Sequence, residues 1–387
     1  MRIGFDAKRA FHNGTGLGHY SRTLIRSLAD LYPTHSYFLF NPKPGGSFPL
    51  PWDGIERENV VEINPTRQID KLFSAAWRSS WVKKDLRKNQ LDLYHGLSHE
   101  IPRGMNRLGI RTVVTIHDLI FERYPEQYNP IDVRIYRNKF KYACEHADRI
   151  IAISEQTKRD IIEFYQIPAR KIRVCYQSCN PAFFQQVTIE EKQQVRERYQ
   201  LPERFFLYVG SIIERKNLGR LVEAMHTIRK ETDIPLVVIG TGGKYEREVK
   251  RKVEDLGVKD RVIFLSRAVA AKQQPRFQNA MDFPAIYQSA TAMIYPSVFE
   301  GFGIPVLEAL ASEVPVITSN ISCLPEAGGP GSLLVDPYSP AEIANAMRRV
   351  LNDPNKVTAM IESGKRHATA FTAEATARKV MDLYESI

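Results

Sequence analysis

A chain of 387 residues has room for two or three domains, and 43% apolar with 25% charged residues is an ordinary balance for a soluble globular protein. The net charge of +10 favours acidic partners: a nucleotide, a phosphorylated acceptor or an anionic membrane. Zinc-finger spacing, an RNA-binding aromatic signature and a long basic arm are all missing, which sets nucleic acid aside; no apolar run approaches the ~18–20 residues that span a bilayer, and four cysteines fit a reducing cytoplasm better than a disulfide framework.

The opening Met1-Arg2-Ile3-Gly4-Phe5-Asp6 enters a strand directly, with no signal peptide before it. Further strands are expected at Tyr37–Phe40, Leu91–Tyr94, Arg111–Ile116, Arg149–Ile153 and Lys171–Tyr176, with helices between them. The clearest helix is His19–Leu31, where Tyr20, Leu24, Leu28 and Leu31 recur at helical spacing. Ahead of it, Asn13-Gly14-Thr15-Gly16-Leu17-Gly18 is not a dinucleotide fingerprint, because its glycines run G-x-G-x-G; it does permit close backbone approach to a ligand. Phe73, Trp77 and Trp81 recur every four residues beside Arg78, Lys83, Lys84, Arg87 and Lys88, a basic amphipathic helix. Two readings are open for it: the aromatic stripe packs into the core, or it lies on an anionic membrane. His117-Asp118 follows the strand Arg111–Ile116, where an imidazole could donate to a sugar hydroxyl or relay a proton. Ser154 reads as an N-cap of the helical run Glu155–Phe164, and the Cys175/Cys179 pair, having no second pair, reads as structural. A poorly patterned stretch, Gln177–Gln200, reads as a linker with a short exposed helix.

The alternation then restarts, with strands expected at Phe205–Val209, Leu236–Ile239, Val262–Leu265, Ala292–Tyr295, Val316–Thr318 and Leu333–Val335. Such a pattern gives two doubly wound α/β domains of the Rossmann-like kind, facing a cleft, with ligands beyond the carboxyl ends of strands. Gly210-Ser211-Ile212-Ile213-Glu214-Arg215-Lys216-Asn217 sits at one such strand end and brings two cations to it. Gly240-Thr241-Gly242-Gly243-Lys244 resembles a P-loop only superficially, since Tyr245 stands where Ser or Thr is needed. Glu300-Gly301-Phe302-Gly303-Ile304-Pro305-Val306-Leu307-Glu308 reads as glycine loop and helix N-terminus after a buried strand, an anion site between two acids that can grip hydroxyls. Glu308 falls in the first helical turn on this reading, and the plainer alternative is a helix-start acid with a solvated Glu300. Helices Ala341–Leu351 and Thr372–Ser386 close the chain, and no Asp-x-Asp occurs for a metal clamp.

Together these residues resemble the retaining glycosyltransferase family 4, which has the GT-B fold. The motifs that carry the likeness are Glu300 through Glu308, Gly210 to Asn217, and His117-Asp118-Leu119 with Tyr124-Pro125-Glu126, the last being most similar to the family's mannosyltransferases. The resemblance implies an acceptor-side domain over 1–185, a nucleotide-sugar domain over 186–370, and a C-terminal helix, 371–387, that packs back on the first. It implies that Glu308 binds the nucleotide ribose, Arg215 and Lys216 the diphosphate, and Glu300 the sugar hydroxyls. Ser211, Phe302, Gly303 and Ile304 would add donor contacts, His117 would sit beside the sugar, and Gly16 and Gly18 would approach the phosphates; His117, Glu300 and Lys216 would be the catalytic set. No metal or other cofactor is expected, the donor being a GDP-sugar, GDP-mannose first, or a UDP-sugar. The expected acceptor is a saccharide or lipid-linked saccharide, and the expected place is the cytoplasm, peripheral on the inner membrane face. A longer segment between Leu265 and Tyr287, including Lys272-Gln273-Gln274-Pro275-Arg276, departs from the family pattern near where base contacts normally fall. A non-catalytic sugar-nucleotide-binding subunit, a GT-B epimerase and a phosphorylase are the alternatives.

Overall fold

The computed structural model describes every residue from Met1 to Ile387. The chain divides into two compact units, one of Met1–Ser178 with Ala373–Ile387, the other of Cys179–Thr372. The division falls at 178/179 and 372/373 instead of the expected 185/186 and 370/371.

The N-terminal unit is a parallel sheet of β1 (Arg2–Asp6), β2 (Ser36–Phe40), β3 (Val60–Ile63), β4 (Leu93–Gly96), β5 (Arg111–Ile116), β6 (Arg149–Ala152) and β7 (Ile172–Val174), in the order β3-β2-β1-β4-β5-β6-β7. β3 is missing from the sequence prediction. It is an edge strand paired to β2 alone and only partly buried, so it lacks the continuous apolar run of the inner strands. Alternating side chains feed the two faces of the sheet. Ile3, Phe5, Tyr37 and Leu39 meet Leu24 and Leu28 of helix Gly16–Leu31 and Val380 and Met381 of helix Ala373–Glu385. Phe38, Phe40 and Tyr94 enter the opposite core with Trp77 and Leu86.

The stretch predicted as one basic amphipathic helix is in pieces: a helix at Gln68–Leu72, a short turn at Ser74–Ala76 running into a π turn at Trp77–Trp81, and a helix at Lys83–Lys88. Phe73, at φ −108° and ψ 53°, leaves the helical region and makes the break. In the π turn Val82 N donates to Trp77 O at 2.8 Å, so residues five apart share the inward face. Trp77, Val82 and Leu86 are accordingly buried, while Trp81, which an α-helix would align with Trp77, turns outward. The core-packing reading thus holds for Trp77 and not for the rest of the stripe. Trp77 packs in the core, its Nε1 donating to Asp85 Oδ2 at 2.8 Å, and Phe73 and Trp81 stay at the surface.

The C-terminal unit is a second parallel sheet of β8 (Phe206–Val209), β9 (Leu236–Ile239), β10 (Val262–Phe264), β11 (Ala292–Tyr295), β12 (Val316–Ser319) and β13 (Ser332–Val335), ordered β10-β9-β8-β11-β12-β13. Most of the stretch expected to be a linker belongs to this unit: helix Ile189–Tyr199 is capped by Thr188 and buries Val195 and Tyr199. The longer segment after Leu265 folds against that helix. Buried Asp282 accepts from Arg276 Nε, Arg198 Nη1 and Tyr199 OH at 2.7, 2.7 and 2.6 Å. Helix Pro354–Ala368, absent from the prediction, is capped by Asp353 and carries Gly364 where a side chain would usually signal a core face. All four cysteines are buried and free, and no helix is long and apolar enough to cross a membrane.

The C-terminal helix is tied to the N-terminal sheet by a buried polar chain. Tyr384 OH lies 2.5 Å from His95 Nδ1, His95 Nε2 lies 2.8 Å from Thr115 Oγ1, and Thr115 Oγ1 lies 3.0 Å from Tyr20 OH. Burial holds His95 down at about 3, so the ring is neutral and its two nitrogens rely on these hydroxyls for hydrogen bonds. Tyr384→Phe should therefore lower the unfolding free energy by about 1–3 kcal/mol, the cost of one unpaired buried polar group. Denaturant titration checks this, and an unchanged midpoint would show that His95 finds another partner.

Candidate active site

β8 and β11 lie side by side at the centre of the C-terminal sheet; β9 and β10 continue to one side, β12 and β13 to the other. The loops after β8 and β11 therefore lead away in opposite directions and frame a crevice at the carboxyl edge. The first runs from Gly210 and tightens into a turn at Glu214–Lys216; the second runs from Pro296 to Gly303 and enters helix Ile304–Ala311. Backbone and side-chain bonds stitch them together. Val298 N donates to Arg215 O at 2.8 Å, and Asn217 Nδ2 donates to Pro296 O at 2.9 Å. Gly303 caps the helix at φ 111°, where a Cβ would also lie 2.9 Å from Leu324 Cδ2, so only glycine serves.

Glu300 is 9% exposed, which removes the solvated-loop reading. Its Oε2 lies 2.9 Å from Arg215 Nη1 and its Oε1 3.4 Å from Lys216 Nζ. Oε1 also accepts from Tyr295 OH at 2.8 Å and from Ser297 Oγ at 2.9 Å. The same Tyr295 oxygen accepts from Lys216 Nζ at 2.6 Å, so the phenol stands between ammonium and carboxylate. Burial opposes ionisation here, but Lys216 and Arg215 outweigh it and hold the carboxyl down at about 2. Arg215 further donates to Phe299 O.

Glu308 behaves in the opposite way. With Gly303 as cap it lies in the second helical turn, not the first, so the helix-start role does not apply. Its surface is partly open, yet its carboxyl is set among densely packed atoms; burial pushes it up to about 7 against the hydrogen bond from Tyr287 OH, at 2.8 Å, and the more distant Lys216 charge. Two acids on one loop-helix segment are thus pulled in opposite directions, because two close cations outweigh burial at Glu300 whereas a hydroxyl and a more distant ammonium do not at Glu308. Of the other expected donor contacts, Ser211 is exposed, Ile304 opens the helix, and Phe302 is buried with its ring 5.6 Å from that of Phe371. The Gly242–Lys244 turn is occupied by the protein itself, Gly242 N donating to Glu246 Oε2 at 2.7 Å. No cluster of three or more metal-ligating side chains forms.

Sequence reasoning missed Tyr295, placed only as the end of a strand, and with it Ser297 and Tyr287. The available signal was chemical: a buried tyrosine hydroxyl has to find a partner. It also missed the support behind the loop, where Cys323 Sγ lies 3.1 Å from Glu300 O and 3.0 Å from Phe302 O.

His117, Gly16 and Gly18 belong to the N-terminal unit. The His117 ring is buried, with Nε2 2.9 Å from Leu97 O and Nδ1 3.0 Å from Gln177 Nε2. A carbonyl can only accept, so Nε2 carries the hydrogen and Nδ1 accepts from the amide. Burial lowers the ring to about 4, the Leu97 bond pulling upward and the Arg9 charge further down. Both nitrogens therefore have protein partners, and donation to a sugar or proton relay requires one of them to let go. Gly18 is explained by local packing, since a Cβ there would lie 1.7 Å from Asn13 O; a Cβ at Gly16 would meet nothing within 4 Å. Ser154 is the N-cap expected, accepting from Thr157 N at 3.0 Å.

The raised Glu308 value has a stability consequence. Between the ordinary 4.5 and about 7 the unfolded chain has lost this proton while the folded chain keeps it, so stability falls as pH rises through that window. Glu308→Gln removes the loss: its melting temperature should exceed the parent's by a few degrees at about pH 8 and match it at about pH 5. Equal melting curves at both values would mean that Glu308 is not perturbed.

Residues 14–183 match the family model described as Glycosyltransferase Family 4, and residues 189–367 match that of Glycosyl transferases group 1. The chain is 26% identical to O-antigen chain mannosyltransferase B of Escherichia coli, covering 100% of both chains. It is 24% identical to O-antigen chain mannosyltransferase RfbU of Salmonella typhimurium, over 91% of this chain and 92% of the other. A glycosyltransferase from Rickettsia africae superposes with a TM-score of 0.74 at 16% identity, covering 100% of this chain and 98% of that one. Anabaena HepE in complex with UDP superposes with a TM-score of 0.73 at 16% identity, covering 100% of both. With two matching domain models and two Rossmann-like sheets, the chain is a family 4 glycosyltransferase of the GT-B fold.

Proposed function

We propose that the enzyme transfers mannose from GDP-mannose to a saccharide or lipid-linked saccharide acceptor, with retention and without a metal ion, in the cytoplasmic synthesis of a surface polysaccharide. The observation that carries this reading is the Arg215–Lys216–Glu300 cluster at the centre of the C-terminal sheet edge, beside a helix N-terminus. Arg215 offers a planar fork and Lys216 a point charge to a diphosphate, which supplies the neutralisation otherwise given by a metal. Glu300, ionised at any physiological pH, accepts hydrogen bonds from sugar hydroxyls, and Glu308 accepts from the ribose. In the reaction the bond from the anomeric carbon to the phosphate oxygen breaks through an oxocarbenium-like state. The acceptor oxygen bonds to that carbon on the face the nucleotide leaves, and its proton passes to the departing phosphate. Stabilising the departing diphosphate is the main electrostatic task.

Mannose is supported by the two O-antigen relatives and by His117-Asp118-Leu119 with Tyr124-Pro125-Glu126. A UDP-sugar is the second reading, favoured by HepE, whose structure holds UDP.

A thermal-shift comparison of GDP-mannose with UDP-sugars identifies the donor, since the tighter ligand raises the melting point further. Slow hydrolysis of that donor in water, after treatment with a chelator, separates a working site from a binding-only subunit. Lys216→Ala and Glu300→Ala should each lower hydrolysis on the order of a hundredfold or more. Near-normal turnover in either correctly folded variant contradicts the assignment.

A further inference from the structure

One face of the N-terminal unit has a chemistry that the transfer reaction does not use. Four large apolar side chains project there: Ile69 is 53% exposed, Leu72 77%, Phe73 53% and Trp81 36%. Phe73 and Trp81 brace each other edge to face, ring centroids 6.4 Å apart. Beside them is a concave recess of about 550 Å³ lined by Arg67, Lys83, Lys84, Arg87 and Arg107 together with Trp81, and no carboxylate lines it. Of the five cations only Arg67 is ion-paired, to Asp70 at 2.6 Å. The patch is rigidly backed. Trp77, Val82 and Leu86 anchor the π turn and the following helix in the core, and Arg103 N donates to Ser79 O at 2.8 Å from the neighbouring loop.

We propose that this face docks on an anionic lipid bilayer, with Leu72, Phe73 and Trp81 entering the headgroup–acyl boundary and the basic recess receiving lipid phosphates. Charge complementarity selects this occupant. Apolar side chains alone would suit a protein groove, but apolar tips rimmed by unpaired cations match a surface that is hydrocarbon inside and negative outside. The sequence shows a basic aromatic stripe; the fold adds Ile69, Leu72, Arg67 and Arg107 from flanking segments and withdraws Trp77. The proposal is independent of donor and acceptor identity.

Co-sedimentation of the full chain with vesicles tests it. Vesicles containing phosphatidylglycerol should retain the protein, pure phosphatidylcholine vesicles should not, and retention should fall as sodium chloride is raised. Lys83→Glu, Lys84→Glu and Arg87→Glu combined should abolish retention, and Phe73→Ser with Trp81→Ser should weaken it at least tenfold, with melting temperature and nucleotide affinity unchanged. Should these variants not fold, the parent protein gives a second readout: brominated lipids quench its tryptophan fluorescence, and Trp81→Phe removes the quenching. Equal retention on both vesicle types, no retention on either, unaltered retention by the folded variants, or quenching that survives Trp81→Phe each overturns the proposal. So does self-association of the parent that the same substitutions abolish, which would make the face an interface between copies.

Discussion

A carboxylate withdrawn from water costs several kcal/mol unless cations face it, and Glu300 has two. Arg215 and Lys216 come from the loop after β8 and Glu300 from the loop after β11, so the ion cluster joins the two segments that frame the crevice of the C-terminal sheet. Tyr295, at the end of β11, contributes the detail that decides how tightly. Its hydroxyl contacts Lys216 more closely than the carboxylate does, leaving the ammonium shared between neighbours and not committed to one. The hydrogen bonds from the Asn217 side-chain amide and from Val298 N then hold the cluster in one geometry. Preorganisation of that sort is what electrostatic catalysis requires, since groups already aimed at a developing charge need not reorganise when it forms.

The same arrangement explains why two neighbouring acids differ. Glu300 is matched by charge, Glu308 by a phenol, and burial acts on both. A buried carboxyl near neutrality is a destabilising feature of the isolated fold. A hydroxyl-rich ligand that donates to it would favour its ionised form, so folding stability and ligand recognition pull on Glu308 in opposite directions.

Much of this was legible in the residues. Strand Ala292–Tyr295, the glycines of the following loop and the apolar helix beyond them fix a crevice at the carboxyl edge, and the Gly210–Asn217 segment falls opposite it because alternating strands and helices build parallel sheets. What escaped has physical causes. β3 is half-buried and lies at an edge, where alternation is weak. The π turn changes the helical repeat locally, so a spacing of four no longer means one face, and Trp77 and Trp81 separate. His117 stands out by its position at a strand end, but its partner Gln177 lies sixty residues later in a stretch that carries no pattern. Gly18 has a local requirement that its spacing does not reveal, the close approach of Asn13 O. Long-range polar partners and local backbone clashes leave no periodic trace in sequence, and these are the features that reasoning from periodicity misses.

We propose that Arg215 and Lys216, matched internally by Glu300, are the receptor for a diphosphate. A structure of the chain with a bound nucleoside diphosphate tests it most directly. The account predicts phosphate oxygens within hydrogen-bond distance of the Arg215 guanidinium and the Lys216 ammonium, with the ribose hydroxyls on Glu308. A nucleotide seated elsewhere, with the Arg215–Glu300 pair intact and Glu308 still bound only to Tyr287, would contradict it.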